Sequence, residues 1–350
     1  MEKPGYRLQP FVARFLDTVT GPVPQVKTSL DRSDRVGTVS ARLGVGRDDY
    51  TIAPGLYAVG RPGEASPVLV SANYKLSFDT LRKSLKAIDA WILVLDTRGI
   101  NVWCAAGKQL LSTNELVQRI RDTQLKKIVT HRQLILPQLA ATGVSAPKVK
   151  RASGFEVLWG PVRAADIEEY LRQEKQPGIE MRRVTFSLAE RIVLIPVEIS
   201  QSIKPTAGFI IAIFLLSGIG PEIFSVQSAW QRGSVAFTAY LGGLLAGAVA
   251  TPVLLPWIPV RSFATKGALV GLVMGLVITT IFWNGSHLLG LAALLLMTVS
   301  VSSYVAMNFT GATPFTSPSG VEKEMRRAIP LQLAAAVFAI VLWTSAGFLS

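Results

Sequence analysis

Cysteine and histidine are nearly absent from this chain of 350 residues, which has one cysteine, Cys104, and two histidines, His131 and His287. A single cysteine excludes a disulfide within the chain and any zinc or iron–sulfur site built from four of its own thiolates. The sequence therefore predicts no iron–sulfur cluster in this chain. The first residues also lack the apolar run of a secretory signal, so we expect the first domain to stay in the compartment where it is made.

Charged residues become scarce after residue 204, where only six of the 36 Lys and Arg and three of the 23 Asp and Glu are found. The apolar segments in this part reach the roughly 20 residues that a helix needs to cross a bilayer. The sequence predicts a water-soluble domain over residues 1–200 and an all-α transmembrane domain over residues 201–350. Five transmembrane helices are predicted, at about 205–222, 234–256, 265–283, 287–308 and 329–349.

Positive charge is unevenly distributed over the loops between these helices. The loops opposite residues 1–200 contain one basic residue, Arg232. The loops on the same side contain Arg261, Lys266, Lys323, Arg326 and Arg327. The positive-inside rule therefore predicts a multi-pass protein of the cytoplasmic (inner) membrane, with residues 1–200 in the cytoplasm. The net positive charge of the first domain favours membrane lipid headgroups or an acidic partner, and we expect no nucleic-acid partner.

The predicted transmembrane helices carry no charge in their middle parts, which favours an anchor over a transporter. Two of them have glycines at intervals of four, at 243 and 247 and at 267, 271 and 275. Such glycines let helices approach closely, and packing within the bundle is favoured over a dimer face. The inner loop predicted over residues 308–330 either connects two helices or covers the first domain.

Short β-branched runs alternate with helical patterns in the first domain, which is typical of a Rossmann-like α/β sheet with covering helices. Helices are predicted at 77–88, opened by Ser77, and at 112–123. Strands are predicted at 67–72, 90–96, 127–131, 155–160 and 182–188. In open α/β sheets the ligand crevice lies beyond the carboxyl ends of the strands. The stretch "NVWCAAGK" (101–108) follows the central strand after a short loop, so we expect it at that crevice.

Within this stretch, Asn101 is a favoured helix cap, which makes Cys104 the third residue of a first helical turn. The amide donors and the positive end of the helix dipole favour a thiolate there. Gly107 is expected to end the turn in a left-handed conformation, and Lys108 adds a cation. A helix this short is not stable alone, so we expect a flat surface to support it.

The residues alone leave three interpretations of Cys104 open. A buried structural cysteine is the simplest. A catalytic Cys–His pair requires His131, because the other histidine lies in the predicted membrane part. A lone thiolate ligand suits a metal whose other coordination positions are filled by a macrocycle.

A family resemblance favours the third interpretation. "NVWCAAGK" after "AWILVLDTRGI", with "VSANYKLSFDTLR" upstream, "HRQLILPQL" and "GFEVLWGPVRAADI" downstream and the late "NFTGATPFTSPSGVEKEM", resembles the membrane-bound corrinoid proteins of the mercury methylation system of bacteria and archaea. The resemblance runs from about residue 30 to the end of the chain. A related stretch occurs in the corrinoid iron–sulfur protein of the acetyl-CoA pathway, whose large subunit adds cluster cysteines and has no membrane domain.

The resemblance implies a cobalamin or related corrinoid bound by the first domain, with Cys104 as the catalytic residue and the lower axial ligand of cobalt. The expected cofactor-binding residues are Ser71, Asn101, Val102, Trp103, Cys104, Ala105, Ala106, Gly107 and Lys108. Small side chains at 105–107 would let the helix lie close to the corrin ring. Trp103 is expected to contact either the ring or the core. Ser71 stands where the family usually has threonine, and residues 109–111 depart from the expected Gly-Thr-Phe.

The resemblance also implies an activity, namely methyl transfer from methylcob(III)alamin to mercury(II) to form methylmercury. The implied reductant is a ferredoxin-like partner with two iron–sulfur clusters. Two alternatives stay open: a corrinoid methyl carrier with another acceptor, and a membrane corrinoid-binding protein without turnover.

Overall fold

The computed structural model describes residues 9–283, 287–309 and 318–349, which form two compact units. The first unit comprises residues 9–41 and Val45–Val184, and the second comprises Arg42–Gly44 and the described residues from Thr185 onwards. The units divide at 184/185, whereas the sequence predicted a boundary at 200/201. The difference arises because the first long helical segment of the second unit, Leu188–Ser217, begins before residue 201.

A mixed sheet of seven strands forms the centre of the first unit, in the order β1-β2-β3-β5-β4-β6-β7. The strands are β1 (Val12–Thr18), β2 (Gly21–Val26), β3 (Gly55–Val59), β4 (Val68–Ala72), β5 (Ala90–Leu95), β6 (Gln133–Pro137) and β7 (Glu156–Gly160). Strands β4 to β7 are mutually parallel, whereas β1 pairs antiparallel with β2 and β3 pairs antiparallel with β5. The α/β fold expected from the sequence is confirmed.

Helices cover both faces of this sheet. They are α1 (Arg32–Arg42), α2 (Lys75–Ser84), α3 (Val102–Gly107), α4 (Thr113–Asp122), α5 (Leu125–Ile128), α6 (Ala146–Ser153) and α7 (Ile167–Arg172). Side chains alternate between faces along a strand. Accordingly Val68 and Val70 of β4 belong to a hydrophobic cluster that includes α4, whereas Leu69 belongs to the cluster on the other face with α2. Strands β4 and β5 are buried throughout, as expected for the centre of a doubly wound sheet.

The direction of winding changes at β4. After β4 the chain passes through α2 and forms β5 on one side of β4. The next strand, β6, lies on the other side of β4. Ligands of open α/β sheets bind at such a point, beyond the carboxyl ends of the two strands that flank it. We call the carboxyl ends of β4 and β6 the switch point.

Several predicted elements differ from those observed. Strands at 67–72, 90–96 and 155–160 are confirmed as β4, β5 and β7, and the 112–123 helix is confirmed as α4. Helix α2 starts at Lys75 rather than Ser77, and its cap residue is Tyr74. The strand predicted at 127–131 is wrong, because Leu125–Ile128 is helical and the strand is β6. The strand predicted at 182–188 is also wrong, and β1, β2 and β3 were not predicted.

The second unit is helical. It contains α8 (Leu188–Ile192), α9 (Ile195–Ser217), α10 (Val226–Leu245), α11 (Thr251–Leu254), α12 (Phe263–Ile281), α13 (Leu288–Asn308) and α14 (Pro318–Ala346), with one π-helical turn at Ala246–Ala250 and a small hairpin of β8 (Ile219–Gly220) and β9 (Ile223–Phe224). Five helical segments of the described chain are long and apolar enough to span a membrane, at Leu188–Ser217, Val226–Leu254, Phe263–Ile281, Leu288–Asn308 and Ser319–Ala346. Their number agrees with the sequence prediction.

Several predicted helix boundaries need correction, and the second segment begins at Val226 rather than at 234. The first segment begins earlier than 205 because Pro205 is accommodated inside α9, and it ends at Ser217, where β8 follows. The loop predicted over 308–330 is helical from Pro318 onwards, because α14 extends about three turns beyond the predicted span. Residues 310–317 of that loop lie outside the described residues, so its contact with the first domain stays a prediction.

The glycine rows pack inside the bundle, as the sequence predicted. A side chain at Gly271 would meet Ser302 Cβ at 2.6 Å, and one at Gly247 would meet the Ser302 carbonyl oxygen at 2.6 Å. Helix α13 is therefore held closely by α12 on one side and by the α10 region on the other.

Candidate corrinoid-binding site

The site is built on the loop that joins β5 to α3. Asn73, which follows β4, is 6% exposed and organises this loop with its side chain. Its Oδ1 accepts hydrogen bonds from Thr97 N (3.0 Å), Thr97 Oγ1 (2.8 Å) and Gly99 N (3.0 Å). Its Nδ2 donates to Asp96 Oδ1 at 3.3 Å. The role of Asn73 is not visible in the local sequence, because it depends on contacts with residues 23 to 26 positions further along the chain.

Helix α3 begins as predicted. The side chain of Asn101 accepts a hydrogen bond from Cys104 N at 2.9 Å, so Asn101 is the cap and Cys104 is the third helical residue. The thiol is free and half-buried. A half-buried thiol at the start of a capped turn is poorly explained as a core residue, which weakens the interpretation as a structural cysteine.

The two faces of α3 have different surroundings. Ala105 and Ala106 are 0% exposed and belong to the hydrophobic core, and Val102 packs against that core. Trp103 and Cys104 are half-buried, and Gly107 and Lys108 are exposed. Packing within the chain therefore accounts for the small side chains of Ala105 and Ala106, and their contact with a corrin ring stays a prediction.

The end of the helix differs from the prediction. Gly107 is the last helical residue, and the left-handed residue is Gln109 with φ 60°. A Cβ at Gly107 would meet no atom within 4 Å. Neither the backbone conformation nor the packing of the described chain requires glycine at 107, so the missing side chain leaves free space on the exposed side of α3.

The carboxyl end of α3 also rests on the turn after β6. This turn is a 3₁₀ helix, Gln138–Thr142, which packs against α3 and is followed by Gly143. A Cβ at Gly143 would collide with the carbonyl oxygen of Leu111 and lie 3.0 Å from Ala106 Cα. Gly143 therefore supports the end of α3, and local sequence does not reveal this role because the contact joins distant parts of the chain.

Two alanine substitutions distinguish the closely packed Gly143 from Gly107, which has free space around it. We expect Gly143→Ala to lower the free energy of unfolding of the first unit by about 1–3 kcal/mol, because backbone atoms cannot rotate away from the added methyl group. Gly107→Ala is the matched control, and its expected change is within about 0.5 kcal/mol. Urea unfolding of the solubilised chain, followed by tryptophan fluorescence, measures both. Equal urea midpoints for the two variants would contradict the proposed support of α3 by Gly143.

The switch point has two further polar residues. Gln138 directly follows β6, and its Oε1 is buried with no hydrogen-bond partner. Ser71 is 3% exposed near the end of β4, and alternation along the strand places its side chain on the face opposite Val70 and the core of α3. Ser71 therefore lies on the face of the sheet opposite the core of α3, and its place in the cofactor-binding set stays a prediction.

His131 is also remote from the thiol. It precedes β6, whereas Cys104 follows β5, and both strands run parallel to β4. The two residues thus lie at opposite edges of the sheet. His131 instead pairs through Nε2 with the Ser66 carbonyl at 2.9 Å and accepts a hydrogen bond from Gln133 N. The interpretation of Cys104 and His131 as a catalytic pair is therefore wrong.

A buried ionic cluster anchors the segment next to Asn73. Lys75 Nζ lies 2.6 Å from both Asp34 Oδ1 and Asp79 Oδ2. Arg82 lies 2.6 Å from Asp34 Oδ2 and 2.8 Å from Asp79 Oδ1, and it also donates to the Lys27 and Ser29 carbonyls. The cluster holds two positive and two negative charges, and it fixes the start of α2 against α1.

The charges of this cluster depend on one another. Burial alone would raise the pKa of Asp34, but hydrogen bonds from Lys75 and Arg82 outweigh it, so this pKa lies below its usual 3.8. Burial alone would lower the pKa of Lys75, but its bonds to Asp34 and Asp79 outweigh it, so this pKa lies above its usual 10.5. Both groups are therefore charged at neutral pH.

The donor set fits a metal that brings its own ligands. Among the described residues there is no group of three or more His, Cys, Asp or Glu side chains able to hold a metal ion. One accessible thiol is sufficient for a metal already bound by a macrocycle. The free space beside Gly107 and the unpaired Gln138 Oε1 are compatible with a large polar ligand at the switch point.

The fold and the site together define a doubly wound α/β domain with a lone thiol at its ligand crevice. Residues 46–171 match the family model described as CO dehydrogenase/acetyl-CoA synthase delta subunit. The chain is also similar to gamma subunits of the acetyl-CoA decarbonylase/synthase complex. The subunit of Methanopyrus kandleri is 36% identical over 138 residues, which cover 38% of this chain and 29% of the relative. That of Archaeoglobus fulgidus is 29% identical over 154 residues, which cover 43% and 32%.

The matched regions are partial. The chain spans about a third of the length of the curated relatives it matches. The family match contains strands β3 to β7 and helix α3, and the five long apolar helices lie outside it. The expected likeness to proteins of the acetyl-CoA pathway is therefore confirmed for the α/β unit.

Proposed function

We propose that this chain is a corrinoid-dependent methyltransferase anchored in the cytoplasmic membrane, and that it methylates mercury(II) with Cys104 as the lower axial ligand of cobalt. The observation that carries the proposal is the half-buried lone thiol in a capped turn that packs at the switch point. The five apolar helices on the same chain support the membrane anchor. The resemblance to the mercury methylation family supplies the acceptor.

The accessible residues of α3 have distinct proposed roles. Cys104 supplies the sulfur ligand, and Asn101 fixes the turn that presents it. Gly107 keeps the exposed side of α3 free for the corrin, and Trp103 and Lys108 lie at the edge of that surface. Val102, Ala105 and Ala106 attach the helix to the core, so their contribution is to position Cys104. We leave Ser71 out of the ring-contacting set because it is buried on the other face of the sheet.

The ligand chemistry supports methyl transfer to a soft metal ion. When bound, the corrinoid would supply the methyl group, and the Cys104 thiolate would hold its cobalt with a sulfur ligand that donates more electron density than imidazole or water does. Cys104 is the only thiol of the chain, so the chain itself offers mercury(II) no pair of thiolates. We therefore propose that mercury(II) arrives with a partner, the ferredoxin-like protein with two iron–sulfur clusters, which also supplies electrons.

A second candidate is a corrinoid methyl carrier whose acceptor belongs to one-carbon metabolism. It is favoured by the matched relatives, which are subunits of an acetyl-CoA decarbonylase/synthase complex. Their names concern acetyl-CoA rather than mercury. The membrane helices lie outside the matched region and therefore do not separate the two candidates.

An acceptor comparison tests the proposal. Membranes containing this chain and its ferredoxin-like partner are supplied with methylcobalamin, a low-potential reductant and either mercury(II) or a set of thiol and carbon acceptors. We expect methylmercury, measured by mass spectrometry, in an amount that depends on the chain. Methylation of a thiol or carbon acceptor without methylmercury would establish the second candidate. Corrinoid binding without any methyl exchange would establish a binding protein without turnover.

A further inference from the structure

We propose that Asn73, which directly follows β4, is a positioning residue that fixes the position of the Cys104 thiol. The inference rests on the proposed function only for the identity of the ligand that Cys104 binds. The hydrogen bonds that position Cys104 are all formed within the chain. Asn73 touches neither Cys104 nor α3 in any hydrogen bond of the described residues. It acts through the loop of residues 96–100.

Asn73 is itself firmly held. Its carbonyl oxygen accepts a hydrogen bond from Ile52 N at 2.9 Å, and Lys75, two residues on, is fixed by the buried ionic cluster. From this position its Oδ1 accepts three hydrogen bonds from the backbone and hydroxyl of the loop, at 2.8 to 3.0 Å. Asn73 is 6% exposed, and its Oδ1 has three hydrogen-bond donors within reach. These hydrogen bonds fix the loop at Thr97 and Gly99.

The restraint continues along the loop to the thiol. Thr97 Oγ1 also lies 2.6 Å from the Ile100 carbonyl oxygen. Gly99 has φ 71°, and a Cβ there would meet Thr51 Cγ2 at 2.5 Å, so this position requires glycine. Directly after the loop, Asn101 caps α3 and accepts from Cys104 N. Each step from Asn73 to Cys104 is thus fixed by a hydrogen bond or by close packing.

The amide is the side chain that this position needs. Its oxygen accepts from the loop while its nitrogen donates to Asp96 Oδ1, which also accepts from Arg98 N at 3.0 Å. An aspartate at 73 would keep the acceptor but would place a second carboxylate beside Asp96. An alanine would remove the acceptor of the Thr97 and Gly99 backbone amides, while the Thr97 hydroxyl would keep the Ile100 carbonyl as its acceptor. Loss of the acceptor for the buried Thr97 amide costs more than the loss of one ordinary hydrogen bond.

Thiol reactivity tests the proposal without any cofactor. The full chain is solubilised in detergent without corrinoid and treated with iodoacetamide, and the adduct is followed by intact mass. Because the chain has one cysteine, each adduct reports Cys104 alone. We expect Asn73→Ala to raise the alkylation rate about tenfold, since loss of the loop bonds lets the thiol sample more exposed positions. Thr97→Val, which keeps both backbone donors to Asn73, should raise the rate less.

A matched control separates positioning from general destabilisation. Ser153 is 3% exposed and makes two hydrogen bonds at the amino end of β7, far along the sheet from the loop. Ser153→Ala should leave the alkylation rate within twofold of the wild type. An unchanged rate in folded Asn73→Ala, or an equal rise in Ser153→Ala, would overturn the proposal. If Asn73→Ala fails to fold by circular dichroism, Thr97→Val decides, and an alkylation rate equal to that of the wild type in this variant would overturn the proposal.

Addition of methylcobalamin then distinguishes this inference from the proposed function. We expect Asn73→Ala to bind corrin with a reduced fraction of cobalt–thiolate absorption, and Asn73→Asp to be closer to the wild type. A wild type that binds no corrin while Asn73→Ala still alkylates faster would reject the proposed function and keep the positioning role. A wild-type cobalt–thiolate spectrum in Asn73→Ala, with unchanged alkylation, would reject the positioning role alone.

Discussion

Replacement of Cys104 by alanine is expected to abolish methyl transfer to mercury(II), while the variant chain still inserts into the membrane. The effect should be complete because the chain has no second thiol, and its described residues contain no alternative group of metal-ligating side chains. The apolar helices proposed as the membrane anchor lie in the other unit, so insertion should not change. Methylmercury is measured in membranes with matched amounts of wild-type and variant chain.

The visible spectrum of the bound corrinoid tests whether the loss of activity in Cys104→Ala comes from the loss of the cobalt–thiolate bond. We expect Cys104→Ala to lack the cobalt–thiolate absorption of the wild type. Ser112→Ala is the matched control, because Ser112 caps the next helix, α4, at a similar cost in stability and supplies no metal ligand. A Cys104→Ala variant that keeps the wild-type spectrum, or that still forms methylmercury, would remove the basis of the proposed mechanism.

The largest effect on stability is expected at Arg82. Arg82→Met removes a 0%-exposed guanidinium that lies within 2.8 Å of both Asp34 and Asp79, and it leaves their negative charges buried with only Lys75 to compensate. Breaking a buried ion pair in this way costs about 3–5 kcal/mol. We expect the urea midpoint of the first unit to fall accordingly. Arg183→Met is the control, because its ion pair with Glu180 is exposed and should contribute about 0–1 kcal/mol.

The pH dependence of this effect follows from the two pKa shifts. The pKa of Asp34 is depressed, so its stabilising contribution is present above the usual 3.8 and is lost as pH falls below that value. The pKa of Lys75 is raised, so its contribution is present below 10.5 and is lost as pH rises beyond it. The difference between the wild type and Arg82→Met should thus be full at pH 7 and shrink in strong acid. A difference as large at pH 3 as at pH 7 would contradict this account.

Part of the candidate site could be predicted from local sequence. Asn101 followed by Cys104 at the third helical position is a local pattern, and the observed cap bond confirms it. The orientation of the neighbouring alanines could not be predicted in this way, because a six-residue helix has no long periodic pattern and the core that buries Ala105 and Ala106 comes from distant elements. The same holds for Gly143, whose contact with α3 spans more than 30 residues of chain.

The strand errors have a similar cause. "KIVTH" has a high β-propensity, yet Leu125–Ile128 forms a helical turn, and the strand lies in the more apolar "QLILP" that follows. A strand is stabilised by its neighbours in the sheet, and these neighbours are β4 and β7. Propensity in a short window does not contain that information.

By itself, the sequence determined the division into an α/β part and five apolar helices, because burial in lipid or in a parallel sheet requires runs of apolar residues that are visible in any window. It also determined that one thiol begins a capped turn. Only the tertiary structure decided which side of that turn is accessible, that Ser71 lies on the other face of the sheet, and that Asn73 holds the loop before Cys104. These facts depend on contacts between residues far apart in the chain, which form only when the sheet brings its strands together.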